Sequence, residues 1–253
     1  MLRTANPALN SSTFESFDTF SVGQSTTMTL QGTATKTGML LVLLAASAGY
    51  SWIELRGAGG IQAVMPHFIG GLVVSLIAAI TLWFKRAWAA ILAPVYAVAE
   101  GLVLGVISAA YEIQFPGEGL VFQAVCLTFG TLFSLLTLYR TGLIKPTENF
   151  KLGLFAATGA VALLYLVNLI MSLCGVGGLG FLHNSSWLSI GISGVIVIIA
   201  ALNLVLDFDF IEEGVKHGAP KYMEWYAGYG LLVTLVWLYL EILRLLSKLN
   251  SRD

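Results

Sequence analysis

The stretch WLSIGISGVIVIIAALNLVLDFDFIEE, residues 187–213, decides the fold class of this chain. Its first part, Trp187 to Leu206, carries no charge. A helix needs about 20 apolar residues to cross a bilayer, and this run supplies them. Four acids then follow closely: Asp207, Asp209, Glu212 and Glu213. The C-terminal end of a helix carries roughly half a negative charge. Acids placed there call for a cation, a proton or a basic partner. Ionisable groups at the edge of an apolar span are functional candidates by default.

The rest of the chain has the same character. Of 253 residues, 57% are hydrophobic and only 11% are charged. Soluble domains carry about 25% charged residues, so this is an all-α integral membrane protein. A net charge of −1 offers nothing to nucleic acid. Cys126 and Cys174 both lie in apolar runs, which leaves no disulfide framework and no metal-ligand spacing. No cofactor is expected.

Residues 1–37 are polar and rich in Ser and Thr, and read as a tail with a short amphipathic piece near Phe14, Phe17 and Phe20. No cleavable signal peptide is expected to open the chain. Residues 38–253 form the membrane domain. Its seven apolar runs lie at about Gly38–Leu55, His67–Phe84, Trp88–Tyr111, Gly119–Tyr139, Lys151–Gly175, Trp187–Leu206 and Tyr222–Leu246. Barrel strands would span about 10 residues and alternate in polarity, and these runs do neither.

Basic residues near span ends set orientation. Arg3, Lys36, Lys85, Arg86, Arg140, Lys145, Lys151, Lys216 and Lys221 fall on one side; Arg56, Arg244, Lys248 and Arg252 fall on the other. The bias places the N-terminus in the cytoplasm of a multi-pass protein of the inner (cell) membrane. Seven spans then put the C-terminus outside. Its basic residues argue against that, and a re-entrant last segment is the alternative.

Glu100 is the one charge within the third run. Burying it costs a few kcal/mol on insertion scales, which argues for a use; the plain alternative is a neutral Glu bonded to a neighbouring helix. Around it, Ala97, Gly101 and Gly105 recur at four-residue spacing, as do Ala45 and Gly49 in the first run. Such spacing lets helix backbones approach closely. Tight packing and a conduit role both fit.

Asp207 and Asp209 lie about 200° apart on a helical wheel. Asp207 continues the face of Asn203 and looks inward. Asp209 shares its face with Leu202 and Leu206, and is expected at headgroup level. In the last run Thr234 and Glu241 share a face, and Arg244 pairs with Glu241 at i, i+3. That pair reads equally as a latch or an interfacial salt bridge.

Gly191-Ile192-Ser193-Gly194 matches the Gly-x-Ser-Gly of rhomboid-type intramembrane proteases. A serine nucleophile needs a base within reach, and none of His67, His183 and His217 lies inside a later run. Ser193 reads as a small packing residue, and no enzymatic activity is expected.

The segment Val205-Leu206-Asp207-Phe208-Asp209-Phe210-Ile211, the His217-Gly218 loop and the final Leu238-Tyr239-Leu240-Glu241-Ile242-Leu243-Arg244-Leu245-Leu246 resemble the Bax inhibitor family, including its bacterial YccA-like members. Ala99-Glu100-Gly101-Leu102-Val103-Leu104-Gly105 looks like that family's Glu-Gly-x-x-x-Gly stretch. Arg3-Thr4-Ala5-Asn6-Pro7 and Gln31-Gly32-Thr33 look like a prokaryotic branch with a long tail. The resemblance implies seven helices, six wrapped around the last. It also implies a pH-sensitive calcium leak in which an Asp of the sixth helix pairs with an Asp of the seventh. Asp207 matches the first of these. Thr234 stands where the second should be, so Glu100 becomes the candidate substitute. Arg244 matches the family's latch arginine.

Two functions compete. One is a cation pathway for calcium or protons, gated near Asp207, with Asp207, Asn203, Glu100 and Thr234 as oxygen donors for calcium and Asp209 at its mouth. The other is a non-transporting regulator that binds a membrane protease or stress-response partner through the tail.

Overall fold

A computed structural model of the chain describes residues 27–57, 60–175, 177–180 and 184–251. The expected amphipathic piece near Phe14, Phe17 and Phe20 lies outside them. Seven helices are long and apolar enough to cross a membrane: α1 (Leu30–Arg56), α2 (Gly60–Phe84), α3 (Ala89–Gln114, preceded by a 3-10 turn at Arg86–Trp88), α4 (Leu120–Arg140), α5 (Glu148–Leu173), α6 (Trp187–Lys216) and α7 (Met223–Asn250). The most buried of them is α7.

Two boundaries differ from expectation. The first helix starts at Leu30, inside the stretch read as tail. Thr29 caps it, accepting from the Gly32 N–H at 3.0 Å. The hydroxyls of Thr33 and Thr37 donate to carbonyls one turn back, so a polar first turn and a half adds no unsatisfied groups. The sixth helix does not end at the aspartates. It continues to Lys216, whose ammonium reaches Glu212 and Glu213 at 3.0 Å each. Acid followed by base at i, i+4 supports a helix, and Gly218, at φ +65°, closes it. Asp207 and Asp209 are therefore helix-interior residues, and of the four acids only Glu212 and Glu213 lie by the C-terminal turn, where Lys216 pairs with both.

The chain divides into two compact units, each holding part of α6 and of α7. In the unit of residues 7–117 and 209–233, α3 packs against α1 and α2. A Cβ at Gly101 would run into Ser47 and the Leu44 carbonyl; one at Gly105 would run into Ser51 and the Ala48 carbonyl. Ser51 Oγ donates to the Leu102 carbonyl at 2.9 Å across this contact. The third-run glycines are thus close-packing positions. Ala45 and Gly49 are not: both are exposed, and a Cβ at Gly49 meets nothing. Leu44, Ser47, Ala48 and Ser51 carry the contact, and Ala45 and Gly49 fall on the neighbouring face of the helix.

The same unit holds a clamp. Met28 N–H donates to the Ala219 carbonyl at 2.7 Å, and Thr27 bridges to Pro220. Glu224, fully buried at the start of α7, accepts from Thr29 through its N–H at 3.0 Å and its hydroxyl at 2.9 Å. Lys36 and Lys221 complete the set, Lys221 at 2.8 Å. An acid suits the positive end of a helix dipole. Gly32 is required here, because its Cβ would meet the Glu224 carboxylate.

Candidate functional site

Asp207 is 0% exposed and lies in the unbroken buried run Asn203–Phe208 of α6. Helical spacing sets its side chain one turn above Asn203, itself 2% exposed. The Asn203 amide donates to Thr158 Oγ1 of α5 at 2.9 Å and to the Ile199 carbonyl at 2.8 Å. Asp209, on the other face, is half-buried. Thr234, in the same unit as Asp207, is also buried, and Trp237 about one turn on is half-buried.

Glu100 has its own surroundings. It hydrogen-bonds Ser75 of α2 and lies in the field of Tyr96 and Tyr229. Those two rings meet edge to face with centroids 4.8 Å apart. Among the described residues no three His, Cys, Asp or Glu side chains converge as a metal site. A cleft of about 440 Å³ between α4 and α6 is lined by Cys126, Gly130, Thr131, Ser134, Ile198 and Ala201 among others. It carries no charged side chain, and Thr131 and Ser134 are its polar lining residues.

The expected pair of Glu241 and Arg244 forms, with N···O distances of 3.1 Å to both carboxylate oxygens. The sequence gives no warning of its third member. Tyr165 of α5 donates to Glu241 at 2.7 Å, and Arg244 both bonds its hydroxyl and lies over its ring. Glu241 is 2% exposed, so the acid of this cluster is buried within the protein, while the Arg244 side chain is 35% exposed.

Ser193, expected to be a packing residue, accepts from Lys248 Nζ at 2.7 Å, with both groups buried. Thr158, Tyr165 and Lys248 were each missed for one reason. A lone polar residue in an apolar run announces burial but not its partner on another helix.

A family model described as Bax inhibitor 1 like matches residues 6–251 of the chain. No curated protein and no solved structure matches it.

Proposed function

The chain belongs to the Bax inhibitor 1 like family, and from that premise we propose that it forms a pH-sensitive cation leak, with calcium as the ion carried. One observation carries the reading: Asp207 is completely buried inside an apolar span, one helical turn beyond the buried Asn203. A charge at such depth costs a few kcal/mol. Taking up a proton removes that cost, so protonation changes the charge of the route at Asp207. In its charged form Asp207 offers the hard oxygen that calcium takes, with Asn203, Thr234 and backbone carbonyls as further donors. The Tyr165–Glu241–Arg244 cluster, in the same unit as Asp207, is the latch. We place the protein in the inner membrane with its N-terminus in the cytoplasm, following the basic-residue bias, and assign it no enzymatic step.

Flux into liposomes tests this. Purified protein reconstituted with an internal calcium dye should pass calcium at a rate that changes steeply with pH near or below neutral. Asp207→Asn should flatten that dependence, and Asp209→Asn should change it less. A protein that passes no cation at any pH has the second function instead, regulation of a membrane protease or stress partner. One feature favours that alternative: the tail joins the helices at Thr27–Thr29, which is bonded to Ala219 and Glu224. A partner pulling on the tail is thereby linked directly to the α6–α7 loop.

A further inference from the structure

Lys248 is buried at 5% exposure, and its one hydrogen bond among the described residues is to the neutral hydroxyl of Ser193. An ammonium carries three donors, so two remain unused. Ser193, accepting from Lys248, keeps its own O–H to give. One turn earlier on the same face of α6, Ser189 is 0% exposed and its hydroxyl has no partner. Ser189 also lies in the first turn of α6, where Ser186 Oγ accepts its N–H at 3.3 Å. That end of a long helix favours negative charge.

Lys248 also lies in the field of Arg244 and of Glu241, and among the described residues no carboxylate is bonded to it. Both oxygens of Glu241 are already taken by Arg244, with Tyr165 on one of them. A buried charge without a counter-charge is strongly unfavourable. Spare donors on a buried ammonium, next to a hydroxyl with a hydrogen to give, describe the environment of an anion.

We propose that Lys248, Ser193 and Ser189 form a binding site for a small monovalent anion of the chloride class. The ion takes the spare ammonium and hydroxyl hydrogens and gives the Lys248 ammonium a negative partner. Anion occupancy then sets how firmly Glu241 and Arg244 hold each other. The site is a matter of binding and stands whether or not the protein carries cations.

The test is thermal unfolding of the full chain, purified in an uncharged detergent, in sodium chloride, sodium bromide or sodium gluconate at equal ionic strength. Chloride and bromide should raise Tm by about 2–4 °C over gluconate, the shift expected for about 1 kcal/mol in a chain of this size, and the rise should saturate. Lys248→Met should abolish the difference between salts. Ser189→Ala, which keeps the charge, should move the half-saturating halide concentration up by about tenfold. Should Lys248→Met not fold, the Ser189→Ala/Ser193→Ala double variant supplies the same comparison. Equal Tm in all three salts would overturn the proposal, as would a halide effect that survives Lys248→Met. Stabilisation by a short-chain anionic lipid with none from halide would give the site to a lipid phosphate and also overturn it.

Discussion

Tyr165 donates its phenolic hydrogen to Glu241 at 2.7 Å, and so joins α5 to the part of α7 that carries Arg244. The contact is a charge-assisted hydrogen bond in a buried setting, and such bonds contribute about 1.5–3 kcal/mol. Tyr165→Phe should lower stability by that amount, read as Tm in detergent. Glu241→Gln should cost more, because it removes the carboxylate that Arg244 bonds through both oxygens. Glu241→Gln combined with Arg244→Met should recover part of the loss. A double variant no better than Glu241→Gln alone would show that the pair is not the energetic unit.

Glu224 organises the first turn of α1. Removing one side of a buried ion pair costs about 3–5 kcal/mol, so Glu224→Gln should be among the more damaging single changes. Its local sign is faster hydrogen exchange at residues 28–36, with α3 unchanged. Lys221→Ala should matter little, since its side chain is 46% exposed and exposed pairs contribute about 0–1 kcal/mol. Equal protection of residues 28–36 in Glu224→Gln and the native chain would contradict the clamp.

Truncations place the end of the dispensable tail. Deleting residues 1–26 spares every contact of the clamp and should leave a folded, detergent-stable protein. Deleting residues 1–36 removes Thr29 and Lys36 and strips Glu224 of its partners from α1. That protein should aggregate or elute early in size-exclusion chromatography. Equal behaviour of the two deletions would show that the clamp contributes nothing to the fold.

Glycines of similar appearance should respond in opposite ways. Gly105→Val drives a side chain into Ser51 and the backbone of α1 and should abolish folding; overpacking of this kind costs at least about 1–3 kcal/mol. Gly49→Ala meets open space and should be neutral or stabilising, by up to about 1 kcal/mol. Expression-level fluorescence chromatography separates the two. A well-folded Gly105→Val would show that α1 and α3 do not meet there.

The long apolar runs made seven spans legible, because length and lack of charge are what a bilayer selects. The burial of Asp207, Asn203 and Thr234 was legible from the pattern around them. Helix ends were not: Leu30 and Lys216 are set by side-chain bonds of Thr29 and by the pairing of Lys216, which hydropathy does not register. The close-packing role of Gly101 and Gly105 followed from spacing, whereas the same spacing at Ala45 and Gly49 misled, since spacing does not say which face meets a neighbour. Partners far apart in the chain, such as Tyr165 with Glu241 or Ser193 with Lys248, stay invisible until the helices are placed.

The bond from Thr29 to Glu224 closes a loop of 195 residues. A chain made from its N-terminus inserts α1 long before Glu224 leaves the ribosome. Until then the first turn of α1 lacks the carboxylate that holds Thr29 and Lys36. The first of the seven membrane helices to be synthesised is thus the last to be secured at its start, and its completion reports that the final hairpin has arrived. Quality-control proteases that inspect N-terminal segments would find this end exposed in every unfinished copy and closed in every finished one.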